Sequence, residues 1–212
     1  IALAVDDGIV YSVRDLGDHI LLNSDESTTV KVSVARLDAK TGRYAPFDNP
    51  ELPSGGASAY IATYVAPPNN VYRLNTDILN VQGAAAHAGR LYVSLRRDNL
   101  IRVIDGKTAR HIKDIPLEAP AGLAFRTHGS LLAASVGQVV VVDVETGQAT
   151  PLITAGLGKP HQVCTAPDGT LLVSDWDSMN VKRFSADGQK LLNTIGKTGG
   201  RPLMGAWDEL RH

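Results

Sequence analysis

His161 is the residue best suited by type and context to do chemistry in this sequence. It sits between Pro160 and Gln162, and an imidazole there could bind a metal or carry a proton. One histidine cannot by itself assemble the three protein ligands of a catalytic zinc site. Unless other segments add ligands, a hydrogen-bonded lining role is the simpler reading. A second candidate is the run Asp175-Trp176-Asp177-Ser178-Met179-Asn180. Its oxygens at alternate positions resemble half of a calcium loop, but the glycine and the distal bidentate glutamate are missing. Short Asp and Asn side chains also brace loops by bonding the backbone, and that reading weighs more. Trp176 could stack on a sugar or a peptide group, or simply cover the loop. The third candidate, Arg96-Arg97-Asp98, could grip a carboxylate or phosphate through the planar guanidinium fork. Against it stands a solvated loop with a local ion pair of little energetic value.

Other motifs fail on inspection. Gly196-Lys197-Thr198 has the end of a phosphate loop, but position 191 is Leu where the first glycine belongs. No Gly-x-Ser-x-Gly and no His-Glu-x-x-His is present. Cys164, the single cysteine, falls mid-strand among apolar residues, which predicts a buried and inert thiol.

Composition narrows the class. The 212 residues suffice for a real core, and 21 basic against 22 acidic side chains leave no footprint for nucleic acid or an anionic membrane. One cysteine forbids an internal disulfide and leaves the redox compartment open. No apolar run reaches the roughly 18 residues of a membrane span. The first residue is Ile1 rather than Met, inside a strand-like run, which reads as a processed or trimmed chain.

The elements that must position these residues are written as a repeat. Asp38-Ala39-Lys40-Thr41-Gly42-Arg43 returns as Asp105-Gly106-Lys107-Thr108-Ala109-Arg110 and as Asp143-Val144-Glu145-Thr146-Gly147-Gln148, with a short echo at Ser185-Ala186-Asp187-Gly188-Gln189. Ala88-Gly89, His128-Gly129 and Asp168-Gly169 follow one another at intervals of 40, and Pro120, Pro160 and Pro202 keep nearly the same step. A period of about 40 with four short strands per unit is a propeller-blade signature. The fold expected is therefore all-β, a β-propeller of four-stranded antiparallel blades in one domain over 1–212. Its approximate units are 1–48, 81–118, 119–158 and 159–199, with the start of a fifth at 200–212. An irregular, Pro- and Gly-rich insertion fills 49–80, with a short strand near Tyr60 to Val65. Four units and the opening of another predict part of a larger ring of six to eight blades, because closure is how propellers remove open edges.

Residues 160–196 resemble an NHL repeat, in Pro160, Asp168-Gly169, Asp175, Asn180, Arg183 and Gly188. Residues 82–115 match more loosely through Asn99 and Arg102. The resemblance covers about half the chain. It implies ligand contact on the face where first strands begin and second-to-third loops project. That face should carry Gln82, His161, Gln162, Leu203 and Met204 near the axis, ringed by Arg96, Arg97, Asp98, Asp175, Trp176 and Asp177. The leading expectation is a binding or scaffold module for a protein, peptide or glycan. The alternative is a metal-assisted lyase or hydrolase whose axial site is completed by blades beyond this chain; a structural segment of a larger secreted protein is the third. No cofactor is expected, calcium and zinc being the only candidates. Self-association is expected if the chain is no longer than this. The resemblance also implies an extracytoplasmic location, periplasmic or secreted.

Overall fold

The computed structural model describes residues 1–15, 20–22, 28–52, 54–66 and 80–199. Its regular elements are strands and one 3-10 turn at Ser54–Gly56. Leu203 and Met204 lie outside the described residues, as does the expected opening of a fifth unit.

The repeat becomes a series of antiparallel sheets, each read from the axis outward. Blade 2 is β6 (Val81–His87), β7 (Arg90–Leu95), β8 (Leu100–Asp105) and β9 (His111–Pro116). Blade 3 is β10 (Pro120–Phe125), β11 (Leu131–Ser135), β12 (Gln138–Val142) and β13 (Ala149–Ile153). Blade 4 is β14 (Pro160–Thr165), β15 (Leu171–Asp175), β16 (Asn180–Phe184) and β17 (Leu191–Ile195). Blade 1 opens with β1 (Ala2–Asp6) and β2 (Ile9–Arg14), which pairs the long β4 (Thr28–Asp38). The short β3 (Ile20–Leu22) pairs the start of that strand. The fourth strand of blade 1 is β5 (Ser58–Ala66), which pairs the free side of β4. The first unit thus extends past residue 48 to Ala66. The interval of 67 between Asp38 and Asp105 arises in part because residues 45–57 are inserted between the repeated turn and its fourth strand.

The repeated phrase is a structural turn. Asp38 Oδ1 accepts from the Thr41 amide and hydroxyl, both at 2.7 Å, and Asp105 Oδ1 does the same with Thr108 at 2.7 and 2.8 Å. The fifth position has positive φ in each copy: Gly42, Ala109 and Gly147. Acid, threonine and glycine recur there because a side-chain oxygen must replace backbone partners while the chain reverses.

Three apolar seams join the blades in chain order. Ala4, Tyr11, Val13, Val32 and Val34 of blade 1 meet Leu91, Val93 and Leu95 of blade 2. Tyr92, Ile101, Val103 and Ile115 meet Leu123, Leu131, Ala133, Val140 and Val142 across the next seam. Leu132, Val139 and Ile153 meet Val163, Leu171, Val173 and Phe184 across the third. Each fully buried aliphatic side chain contributes about 1.5–3 kcal/mol. The first strands pack in the succession β1, β6, β10, β14, and β14 makes no comparable packing on β1 among the described residues.

Near the axis the first strands approach so closely that side chains are excluded. A Cβ on Gly83 would lie 2.5 Å from the Ala121 carbonyl oxygen, and one on Gly122 would lie 2.6 Å from Gln162 Cα and the His161 carbonyl oxygen.

Two expectations are corrected. Cys164 is exposed. It pairs with Leu172 while Val163 and Val173 fill the seam, so alternation turns the thiol to the far side of blade 4. The repeat match of Asn99 and Arg102 is displaced by one residue. Arg102 pairs Val93 where Lys182 pairs Val173, so the counterparts of Asn99 and Arg102 are Met179 and Lys182, not Asn180 and Arg183. One position of slip in a strand exchanges its faces. Arg102 accordingly donates to the Ile61 carbonyl and to Asp114, and Lys182 to the Gly156 carbonyl and to Asp175.

The axial contact yields a prediction. Gly122→Ala should lower unfolding stability by about 2–3 kcal/mol, since backbone on the neighbouring strand must shift to admit a methyl group. Urea unfolding followed by circular dichroism measures this, and Gly89→Ala, where no atom crowds the position, isolates the cost of a positive φ alone.

Candidate functional site

Blades 2, 3 and 4 all carry a β-bulge after the first residue of the first strand. The register slips between Val81 and Gly83, between Pro120 and Leu123, and between Pro160 and Gln162. A bulge re-aims the residue it releases. The released residues are Gln82, Ala121 and His161, one per blade, at the start of each first strand. Sequence spacing places Gln82 and His161 as counterparts; the bulge is what turns them toward each other.

The contact is direct. His161 Nε2 lies 3.3 Å from Gln82 Oε1, so the ring donates there as its Nε2–H tautomer. Gln162 Nε2 donates to the Gln82 carbonyl at 3.0 Å and lies 3.5 Å from His161 Nδ1. Side chains of blade 4 therefore reach blade 2 over Gly122, which has nothing to block them. Burial, then the positive charges of Arg96 and Lys159, push the imidazole below its usual pKa, so His161 is neutral at pH 7. Both ring nitrogens face amide groups, which leaves the ring surface as what a ligand would meet.

Trp176 stands beside that ring, with centroids 5.6 Å apart and planes tilted by 47°. It is 47 % exposed, and Met179, three residues on, is 45 % exposed. Met179 is held at φ 51° in the loop between β15 and β16, which lifts it out of the sheet. His161, Ser174, Asp175, Trp176, Met179 and Asn180 line a cavity of about 450 Å³.

Asp175 is fully occupied by structure. It is buried, bonded to the Lys182 ammonium, and accepts from the amides of Gly158 at 2.9 Å and Lys159 at 3.0 Å. Burial alone would raise its carboxyl; the ammonium and the two amides override burial and hold it well below the usual carboxylate range. Its work is to fasten the chain entering β14, a task that Ser135 performs in blade 3 by donating to the Glu118 carbonyl at 2.6 Å. Asp177 packs against Gly158, where a Cβ would lie 2.6 Å from Asp177 Oδ2.

The two arginines part company. Arg96 follows the second strand as Trp176 does, and its charge weighs on His161. Arg97 turns away: its guanidinium covers the Tyr64 ring of blade 1 at 5.1 Å, and its amide donates to Asn80 Oδ1 at 2.8 Å. The structure thus gathers Gln82, His161, Gln162, Arg96 and Trp176 at one place and puts Arg97, Asp175 and Asp177 to other uses.

Sequence reading missed Val136 and Ser174, and it took Met179 and Asn180 only as members of the calcium-like run 175–180, not as lining of this cavity. Val136 occupies in blade 3 the place of Arg96 and Trp176, exposed and at φ 34°. The one signal for it is the following Gly137, which marks a tight turn. Among the described residues no three His, Cys, Asp or Glu side chains converge as a metal would require, and no helix is long and apolar enough to cross a membrane.

No family model and no curated protein matches the chain. Solved structures do. A protein of unknown function from Bacteroides caccae superposes with a TM-score of 0.57 at 14% identity, over 90% of this chain and 68% of that one. Hydrazine synthase from Kuenenia stuttgartiensis gives 0.50 at 18% identity, over 84% of this chain. This chain spans 48% of the hydrazine synthase chain. Virginiamycin B lyase from Staphylococcus aureus gives 0.48 at 10% identity, over 85% of this chain and 58% of that one. At these identities the likeness to the first two is one of fold alone, in keeping with the β-propeller sheets described above.

Asp175 supplies a test of the site's internal wiring. Its depressed carboxyl stabilises the fold above the unfolded value of about 3.9, and that contribution is lost as pH falls through the folded value. Asp175→Asn should cost about 3 kcal/mol at pH 7 by leaving Lys182 without its counter-charge. It should also flatten the decline in stability below pH ~4. Chemical denaturation across that range reads both effects.

Proposed function

We propose that this β-propeller is a ligand-binding module that recognises a protein, peptide or glycan at the face where its first strands begin. The observation that carries the reading is the pair Trp176 and Met179. Both are large, apolar and nearly half exposed, and they flank a neutral imidazole that the rest of the axis holds in place. Exposed aromatic surface beside a fixed polar group suits stacking on a sugar ring or a planar peptide group. Arg96 adds a positive edge to the same rim.

The acid groups support binding over catalysis. Asp175 is committed to Lys182 and two amides, and His161 has both nitrogens against amide side chains. A general acid or base needs a group free to exchange its proton with a substrate. A metal-assisted lyase or hydrolase would need ligands beyond His161 from outside the described residues.

The test is a screen of immobilised oligosaccharides and peptides with the wild-type chain and with Trp176→Ala. Loss of one exposed stacking ring should weaken every bound ligand about tenfold, with the far-UV circular dichroism spectrum unchanged. Ligands held equally well by Trp176→Ala would place recognition elsewhere. One zinc or calcium per chain surviving dialysis would turn the reading toward the enzyme.

A further inference from the structure

At the opposite end of the first strands from His161, the β10–β11 turn of blade 3 faces the β14–β15 turn of blade 4. Between them runs a groove of about 550 Å³. Phe125, Arg126 and Thr127 form one wall, and Thr165, Pro167 and Asp168 the other. Both walls belong to blades whose four strands are all described. Register sets which way the side chains point. Val163 and its partner Val173 fill the seam toward blade 3, and Thr165 and its partner Leu171 lie on the same side. Ala124 packs into that seam from blade 3, and Arg126, two residues on, follows it. Arg126 and Thr165 therefore face each other across the groove.

Two groups in this groove lack a chemical counterpart. Arg126 is half-buried, and its guanidinium donates through one nitrogen to the Ala186 carbonyl at 2.7 Å. Among the described residues it meets no acid. The preceding seam shows the difference. There Arg90, at the head of β7, pairs with Glu145 in the outer turn of blade 3 at 3.1 Å. Bonds from the Asp143 amide to the Gln148 carbonyl and from the Ser185 amide to the Lys190 carbonyl align the outer turns of blades 3 and 4. They make Asp187 the counterpart of Glu145. Asp187 is turned into its own loop, where it accepts from the Ser185 hydroxyl and the Gln189 amide. Asp168, the acid in the groove wall, is paired with Arg183 and bonded by Thr170. The groove thus keeps one positive charge that no described residue cancels. The second group is the Thr165 hydroxyl, whose oxygen is buried and has no hydrogen-bond partner among the described residues. Buried polar groups are paired in the great majority of cases, so an orphan beside an uncancelled cation marks a place where an acceptor of negative charge fits.

We propose that this groove binds a small organic anion, its carboxylate or phosphate on Arg126 and the Thr165 hydroxyl and its apolar body against Phe125 and Pro167. A guanidinium offers a planar fork of donors that matches either anion, and a hydroxyl donates beside it. The Phe125 ring, stacked on His87 with centroids 4.7 Å apart, supplies a flat wall for the apolar body. The site lies at the other end of the sheets from Trp176, so it stands apart from the ligand reading above.

The test is a titration of the whole nitrogen-labelled chain with benzoate, phenyl phosphate, acetate and inorganic phosphate at constant ionic strength, followed by amide NMR. Benzoate or phenyl phosphate should move the Thr127, Gly129 and Gly169 amides along one saturating curve and leave the Trp176 amide in place. The tighter of the two names the anion, and acetate and inorganic phosphate, which lack the ring, should bind more weakly than their counterparts. Arg126→Gln should weaken binding about tenfold and Thr165→Val about threefold, with the wild-type circular dichroism in both. Trp176→Ala should leave the curve unchanged. Thr165→Val keeps the shape of the side chain, so it decides the matter even if Arg126→Gln does not fold. Shifts that never saturate, or saturable binding indifferent to both substitutions, would overturn the proposal.

Discussion

Backbone meets backbone at the axis of this molecule. The first strands of blades 2, 3 and 4 lie so near one another that Gly83 and Gly122 have no space for a Cβ. That constraint selects glycine and alanine in β6 and β10, and it opens the passage through which Gln162 reaches the Gln82 carbonyl. With the strands fixed so closely, the bulge at the head of each has one direction left for the residue it releases. His161 is thereby delivered to Gln82 and held beside Trp176. The site is a consequence of how the inner strands pack, and its chemistry is that of a rigid, neutral surface with an aromatic edge.

Outside the axis the same logic repeats with different side chains. Each blade turns one apolar face to its predecessor and another to its successor, and each tethers the loop that leads into its first strand. Asn80, Ser135 and Asp175 perform that tethering with an amide, a hydroxyl and a carboxylate respectively. The carboxylate is the costliest choice, since burying it requires the Lys182 ammonium as well. What looks like functional acidity in the run 175–180 is largely the means by which blade 4 holds its own entrance.

Much of the architecture was legible in the sequence, because turn chemistry is local. An aspartate, a threonine and a glycine at fixed offsets announce a reversal wherever they stand, and the spacing of 40 announces the blade. The fourth strand of blade 1 was harder to assign, as its pairing with β4 spans an insertion whose composition suggests a loop. The thiol of Cys164 was misjudged because an apolar strand buries a face only where a neighbour covers it. The site was legible in part. Spacing identifies Gln82 and His161 as counterparts, but their contact depends on a bulge that no residue type advertises. Nothing in the sequence distinguishes Arg96, whose charge acts on His161, from Arg97, which covers Tyr64. Val136 was invisible for a related reason: a β-branched residue at positive φ runs against local preference, and only the tight two-residue turn at Gly137 imposes it.

The most direct test of this account is the state of one imidazole. Nitrogen NMR of the histidine-labelled chain reports which ring nitrogen carries hydrogen and where the ring titrates. The axial packing requires His161 to be neutral at pH 7, protonated at Nε2, and to titrate below the ordinary value of about 6.5. An imidazolium at pH 7, or a proton resident on Nδ1, would mean that the bulge does not aim the ring at Gln82 and that the axis is not organised as described.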